Sequence, residues 1–445
     1  MIKTNQINFI NIFLFEIIGD KMANYTDYIN MKYKPTKNDL VCVYKFKPGP
    51  GVDKKRAAGA IAAESSTGTW TKLSTVSEKR QINLGAKVYK IRGDYAEIAY
   101  PSELFEEGNM PEILSSIAGN IYGMREIDSL RLMDVKWSDK IRDSFPGPQF
   151  GIQGVRKITK IKKRPLVGTI VKPKLGLTEK EHSKVAYDSW IGGLDVVKDD
   201  ENLTSQPFNK FKKRAEETVK MKNKAEEKTG ERKMYMANVT AETKEMLKRA
   251  EFLADLGNEY AMVDILTVGF AGLQTLREEM NDLKLILHGH RAMHGALTRN
   301  PDHGMSMLVL AEISRLIGMD QLHIGTAVGK MEGGAKEIIS IVEDIEHKFI
   351  SKKGQRLAEN WGKIKPTFAV CSGGLHPLHV PDLIKFFGTD IIIQMGGGVH
   401  GHKDGTVEGA TAARQAVEAV MQGKTIKEYA VEHRELRRAY EKWGK

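Results

Sequence analysis

Eight short apolar runs, each followed by an amphipathic stretch, fill the chain beyond residue 150 and constrain its fold more than any other feature. They cover residues 167–171, 194–197, 234–239, 261–265, 283–287, 321–324, 367–370 and 390–394. Short runs alternating with helical periodicity read as parallel strands joined by crossover helices. Eight such repeats close more naturally into a barrel than into an open sheet. The expected fold class is therefore α/β, with a C-terminal (β/α)8 TIM barrel over 151–445. Residues 409–422 and 426–443 read as helices that follow it.

The N-terminal part has a different rhythm. Residues 40–46 and 95–100 alternate as half-buried strands do, and Met110-Pro111-Glu112 opens a helix with proline early and an acid in the first turn. This predicts a smaller α+β (ferredoxin-like) domain over 22–150, ending in a Pro/Gly-rich loop at 145–151. A chain of 445 residues can bury two such cores. Residues 1–21 stand apart. Their apolar run, 10–18, is broken by Asn11 and Glu16, is too short to span a bilayer, and is followed by no small-residue cleavage site. Met22 then begins a conventional-looking start, so the extension is expected to be dispensable, and no membrane association is expected.

Two cysteines, Cys42 and Cys371, form neither a disulfide framework nor a zinc pattern, which suits a reducing cytoplasm. The formal charge of +11 favours anionic partners. Two basic runs, Lys160, Lys162, Lys163, Arg164 and Lys212, Lys213, Arg214, are expected on solvated outer faces. No nucleic-acid-binding pattern accompanies them, and a small phosphorylated substrate fits the charge better than nucleic acid.

Polar residues gather where six of the eight strands end. Lys172 and Lys174 follow the first strand, and Lys198, Asp199, Asp200 and Glu201 the second. His288, His290 and Arg291 follow the fifth, His323 closes the sixth, and Ser372-Gly373-Gly374 and Gly396-Gly397-Gly398 follow the last two. Strand carboxyl ends form the active-site face of a barrel. Glycine pairs there bring backbone N–H groups to a phosphate, although alone they could simply make tight turns. His290, Arg291 and His323 suggest a second anion site. Asp199, Asp200 and Glu201 offer two or three hard oxygen ligands suited to Mg²⁺; the bland reading is an exposed acidic turn. Lys330, in a loop bounded by glycines, could swing over a bound substrate, or could be a solvated lysine. Together these residues fit proton abstraction beside a carbonyl, giving an enediolate that a metal stabilises. The electrophile is left open.

At Gly192-Gly193-Leu194-Asp195-Val196-Val197-Lys198-Asp199-Asp200-Glu201 the sequence resembles the activation motif of ribulose-1,5-bisphosphate carboxylase/oxygenase (Rubisco) large subunits. Further motifs carry the resemblance from about Met22 to the C-terminal helices. They are Glu64-Ser65-Ser66-Thr67-Gly68-Thr69-Trp70, Gly119-Asn120, Lys172-Pro173-Lys174-Leu175-Gly176, His290-Arg291-Ala292-Met293-His294, Gly325-Thr326-Ala327-Val328-Gly329-Lys330, Ser372-Gly373-Gly374 and Gln394-Met395-Gly396-Gly397-Gly398. The resemblance implies that Lys198 reacts with an activating CO₂ to give a carbamate, which holds Mg²⁺ with Asp200 and Glu201 and serves as the base for enolisation. It implies that Lys172 protonates the carbanion left after C–C cleavage, that Lys174 lies close to the metal site, that His294 lies near the hydration step, and that Lys330 stabilises the new carboxylate.

By the same resemblance Arg291 and His323 contact one phosphate, and Gly373, Gly396 and Gly397 the other, with Thr69 and Trp70. His290 and Ser372 contact substrate hydroxyls, and Gly374 and Gln394 belong to the same substrate-binding motifs. Glu64 and Asn120 would enter a neighbouring subunit's site, making a homodimer the minimal working unit. The implied reaction joins ribulose 1,5-bisphosphate, CO₂ and water into two 3-phosphoglycerates, with O₂ competing. The shorter C-terminus, Met331 in place of leucine, Ile170 in place of threonine and Ile324 in place of serine look more like the archaeal-type (form III) branch. That branch works without small subunits, as a homodimer or an assembly of dimers, and draws its bisphosphate from nucleotide (AMP) salvage. A Rubisco-like enolase or isomerase of a methylthio-pentyl phosphate, and a non-catalytic basic binding protein, are the competing readings.

Overall fold

The computed structural model describes residues 25–444 except Trp70, 72–74 and 329–333. The expectations for residues 1–21, Trp70, Lys330 and Met331 lie outside the described residues. Contacts divide the chain into two units. One is the chain up to Ser144 with Asn300–Val309 and Ser351–Glu359; the other is Phe145–Arg299, Leu310–Ile350 and Asn360–Lys445.

The first unit is α+β. Strands Asp39–Pro48, Lys87–Arg92, Tyr95–Pro101 and Ile127–Lys136 pair antiparallel, with Asp39–Pro48 between Ile127–Lys136 and Tyr95–Pro101. The two-residue strand Gly304–Met305 adds in parallel beside Ile127–Lys136. Helix Lys54–Glu64 starts at Asp53, whose carboxylate accepts from Lys55 N and Arg56 N, and its residues Ala57 to Ala63, all small except Ile61, are buried. Helix Met110–Ile117 has the expected proline in its first turn, and the Asn109 side chain accepts from Glu112 N.

The second unit is a closed eight-stranded parallel barrel. In chain order its strands are Leu166–Ile170, Val196–Lys198, Met234–Asn238, Tyr260–Asp264, Ile286–His290, Gln321–Gly325, Phe368–Ser372 and Ile391–Gln394, and each pairs with the next. The eighth closes on the first through Ile392↔Leu166 and Ile393↔Val167. Strand alternation sends every second side chain inward. Leu166, Val196, Met234, Tyr260, Ile286, Phe368 and Ile392 form the lower interior, joined by Ile152 and Val155 from helix Gly151–Thr159. Each large apolar side chain buried this way contributes about 1.5–3 kcal/mol. Buried Asp320 accepts from Phe150 N (2.7 Å), Gly151 N (2.9 Å) and Leu287 N (3.0 Å), tying that helix to the fifth and sixth strands.

Three expectations need correction. The fifth strand begins at Ile286, not residue 283, because helix Phe270–Leu283 runs on to a left-handed Lys284 (φ 55°). A short apolar run does not distinguish a buried helix end from a strand. The stretch 426–443 is two helices, Ile426–Glu432 and Arg434–Trp443, split at His433. The His433 ring nitrogen Nδ1 donates to the Tyr429 carbonyl (2.7 Å), the acceptor that a continuous helix would have given to the His433 N–H. Arg214 is fully buried rather than on an outer face. No helix among the described residues is long and apolar enough to cross a membrane.

Candidate active site

The parity that makes the lower barrel apolar makes its upper end polar. Two or four residues further along the same inward rows stand Ile170, Lys198, Asn238, Asp264, His290, His323, Ser372 and Gln394. A cavity of about 360 Å³ opens at these strand ends. Its wall includes Lys172, Lys198, Glu201, His290, Arg291, His294 and His323 on one part, and Ser372, Gly373, Gly374, Gln394, Gly396 and Gly397 on another.

The second strand supplies the acidic cluster, and the structure divides it. Asp199 is buried with both oxygens engaged. Tyr235 Oη donates to Oδ1 (2.8 Å), His182 Nε2 lies 3.0 Å from Oδ1, and Arg214 Nε (3.1 Å) and Asn238 N (3.0 Å) donate to Oδ2. Burial alone would raise its pKa, but Arg214, His182 and the Asn238 N–H hold it well below the usual carboxylate range. Arg214 also donates to Asn209 Oδ1 (3.0 Å) and Thr204 O (2.8 Å), so this ion pair braces the loop carrying Asp200 and Glu201. Asp199 is thereby spent on structure.

Asp200 Oδ2 accepts from Lys172 Nζ (2.5 Å). Lys198 is fully buried; its Nζ donates to Asp199 O (2.7 Å) and lies 3.8 Å from Glu201 Oε2. Burial lowers the Lys198 pKa, although Glu201, Asp200, Asp264 and Asp199 all act in the opposite sense. Glu201 also lies 3.6 Å from His290 Nε2, whose Nδ1 is 2.7 Å from Asp264 Oδ1. Burial would raise the Glu201 pKa; Lys198, His290 and Lys172 keep it below the ordinary value. Among the described residues no three histidine, cysteine or carboxylate side chains converge as metal ligands. Asp200 and Glu201 are one anionic donor short of such a set, and the buried amine of Lys198 stands beside them.

Arg291 is only 7% exposed, yet its guanidinium has no hydrogen-bond or salt-bridge partner among the described residues. It lines the cavity as a planar donor whose charge Glu337 partly offsets, the arrangement that receives a phosphate or carboxylate. Burial lowers its pKa to about 10, which leaves it charged at neutral pH. Gly325 makes room for it. At φ +92° that residue is in glycine's territory, and a Cβ there would stand 2.5 Å from Arg291 Nη2. On another part of the wall Gly373 and Gly374 have positive φ, and a Cβ on Gly396 would lie 3.1 Å from Lys172 Cε. His294 Nδ1 is 2.9 Å from Thr298 Oγ1, and burial with Arg291 and His290 nearby lowers its pKa to about 4.

Other expected site residues lie off this wall. Lys174 is exposed, with Nζ 3.4 Å from Asn202 Oδ1. Glu64 ends helix Lys54–Glu64, Asn120 opens the turn Asn120–Gly123, and Thr69 follows in the same N-terminal unit; none of the three lines the cavity. Sequence reading places His288 near the fifth strand's end but does not count Asp264, His288 or Gln321 as site residues. Inward parity on strands four, five and six was the signal that could have found them. A larger cavity, about 720 Å³, opens among loops that precede the strands, near Lys160, Lys162 and Lys163. Its arginines are already paired, Arg164 with Asp195 and Arg232 with Glu226.

Fold and cavity define a (β/α)8-barrel protein with an anion-receptive site at its strand ends. Residues 151–443 match the model of the ribulose bisphosphate carboxylase large chain catalytic domain, and residues 27–141 match that of its N-terminal domain. A ribulose bisphosphate carboxylase of Methanosarcina barkeri is 50% identical over 424 residues, covering 94% of this chain and 99% of the relative. A dimeric archaeal Rubisco from Hyperthermus butylicus superposes with a TM-score of 0.90 at 48% identity, covering 95% of this chain and all of that one. An octameric Rubisco from Pyrococcus horikoshii does so with a TM-score of 0.88 at 44% identity, covering 95% and 98%. The chain belongs to the ribulose bisphosphate carboxylase large-chain family.

Proposed function

We propose that this chain carboxylates ribulose 1,5-bisphosphate with CO₂ and water to two 3-phosphoglycerates, O₂ competing for the same intermediate. The observation that carries the reading is Lys198, a fully buried amine in the cavity wall beside two carboxylates that alone make an incomplete metal set. Burial favours its neutral form, whose lone pair can bond to the carbon of CO₂; loss of the amine proton leaves a carbamate. The donor set then gains its missing anionic oxygen, and Lys198 as carbamate, Asp200 and Glu201 fit Mg²⁺. Bound there, Mg²⁺ would supply Lewis-acid polarisation of substrate oxygens.

The residues divide the remaining work. A carbamate oxygen on Lys198 takes the proton from the substrate carbon beside the carbonyl. Lys172, whose ammonium already reaches Asp200, returns a proton to the carbon left after cleavage. His294, its pKa pushed down to about 4, is neutral near pH 7 and can take a proton from the attacking water. His290, oriented by Asp264, contacts a substrate hydroxyl, as does Ser372. Arg291 and His323 receive one phosphate, and backbone N–H groups of Gly373, Gly396 and Gly397 receive the other. Lys330, Thr69 and Trp70 keep the substrate-contact roles that the family resemblance implies.

The test is incubation of purified protein with ribulose 1,5-bisphosphate, Mg²⁺ and ¹⁴C-bicarbonate, with and without O₂. Acid-stable label is expected, and its absence overturns the reading. An enolase or isomerase of a methylthio-pentyl phosphate is disfavoured by the joint presence of Glu64, Asn120, Lys172 and Lys330. The archaeal character of the structural relatives supports supply of the bisphosphate from nucleotide (AMP) salvage. The chain is proposed to work as a homodimer or an assembly of dimers without small subunits, supported by the dimeric and octameric relatives. Glu64 and Asn120 would complete a neighbouring subunit's site.

A further inference from the structure

The two glycine-bearing loops of the cavity wall are both fastened to the last helix of the chain, Arg434–Trp443. Just beyond the Gly396-Gly397-Gly398 turn, Lys442 Nζ donates to Gly401 O and His402 Nε2 donates to Glu435 O (3.0 Å). Asp404 accepts from Arg438 (3.0 Å) and Arg434 (3.3 Å). The loop after the seventh strand meets the end of the same helix. There the His376 ring stacks on His379, with centroids 3.7 Å apart, and on Trp443, with centroids 5.4 Å apart and planes within 3° of parallel.

The two loops also bear on each other. A Cβ on Gly398 would stand 2.7 Å from His376 Cα and would overlap the Leu375 carbonyl oxygen, so the His376 backbone packs directly on the glycine turn. Leu375, which is buried, is the single residue between His376 and Gly374. Backbone N–H groups bind an anion well only when they are already held in place. Glycines do not hold themselves: Gly373 and Gly374 have φ of 116° and 68°, and such residues lose the most conformational freedom on ordering. Their order has to come from a neighbour, and the stack on His376 is adjacent to both loops.

We propose that Trp443 is a positioning residue: stacked on His376, it makes the C-terminal helix a clamp that holds the glycine loops after strands seven and eight at the spacing that receives a phosphate. Trp443 does not line the cavity and acts only through His376. The consequence for turnover rests on the proposed carboxylation; the clamp on an anion seat does not. Losing an aromatic stack of this kind should weaken phosphate binding roughly 3- to 10-fold. A seat used equally by substrate and transition state shows its loss in KM and not in kcat.

The test compares Trp443→Ala with Trp443→Phe, which keeps a ring for the stack. Trp443→Ala should raise KM for ribulose 1,5-bisphosphate roughly 3- to 10-fold with kcat within about twofold, and Trp443→Phe should restore most of the loss. Isothermal titration with inorganic phosphate should show the same weakening. His376→Gln removes the stack from the loop side, and the double variant should be no worse than either single change. Unchanged KM and phosphate affinity in Trp443→Ala overturn the proposal, as do additive losses in the double variant. Coupling of this kind is reciprocal, so saturating inorganic phosphate should slow hydrogen exchange over residues 434–443 of the wild type by a similar factor. Exchange that does not slow overturns the proposal even if neither variant folds. Weakened phosphate binding in a protein that fixes no label would refute the carboxylase reading and leave the clamp standing.

Discussion

Replacing Lys198 with alanine removes the buried amine while leaving Asp200 and Glu201 in the chain. The expected outcome is loss of Mg²⁺-dependent ¹⁴C fixation with the barrel still folded by circular dichroism; wild-type turnover in Lys198→Ala would refute the carbamate role. Its neighbour should behave in the opposite way. Asp199→Ala leaves the Arg214 guanidinium buried without its carboxylate, a change that costs about 3–5 kcal/mol for a buried pair. Denaturant unfolding should show that loss, while Asp200→Ala should cost activity before stability. For Arg291→Lys the planar fork becomes a point charge, and kcat/KM for the bisphosphate should fall roughly 10- to 100-fold. Steady-state kinetics with unchanged Tm would locate that effect in substrate binding.

At the scale of elements, strand ends and the loops after them position the site. The sixth strand illustrates this. Gln321 and His323 point inward by parity, and the strand then ends at Gly325, whose positive φ leaves space for Arg291 from the end of the fifth. Gly325→Ala forces a Cβ into that space in a backbone region that costs about 1–3 kcal/mol for other residues. Lower thermal stability and a raised KM together are the expected result; an unchanged KM would show that Arg291 relaxes without consequence. The second strand and its loop depend similarly on Arg214, contributed by helix Phe211–Thr229, which holds Asp199, Thr204 and Asn209 at once.

For the whole molecule, buried histidines set the acid limit of stability. His288, His294 and His400 have pKa values lowered to about 3, 4 and 4 from an ordinary 6.5, chiefly by burial. The unfolded chain therefore binds protons first, and stability present above pH 6.5 is lost as pH falls from there toward about 4. Asp320, raised to about 6 by burial, gains stability over part of that range and opposes the loss. Lowered His323, His376 and His379 add to the loss and raised Glu346 opposes it, so six groups against two predict a net fall in Tm from pH 7 to pH 5 in calorimetry; a flat or rising Tm would contradict it. The proposed sharing of active sites between subunits makes a second prediction at this scale. Mixed and re-annealed Glu64→Gln and Lys198→Ala, each inactive alone, should regain roughly a quarter of the sites if one dimer interface builds both. No recovery would place Glu64 outside the neighbour's site.

Strand count, barrel closure and the polar rows at strand ends were legible in the sequence because they depend on local periodicity and alternation, which each segment carries alone. The motifs around Lys198, His290, Ser372 and Gly396 were legible for the same reason. Boundaries failed where a local cap that hydrophobic periodicity does not carry decided them, as at His433, whose ring takes the Tyr429 carbonyl, and at Lys284, where a helix outlasts its apolar signal. Three adjacent acids look alike by residue type; the family resemblance left Asp199 out of the metal set, and packing against Arg214, Tyr235 and His182 gives the physical reason. The hydrogen bonds from Ser372 through His323, His288 and Gln321 to Tyr260 join four strands that are as much as 112 residues apart in the chain, counting from 260 to 372. By itself the sequence determined which residues face inward, because alternation is local. Only the closed barrel decided which of them touch, because those distances arise when the eighth strand meets the first.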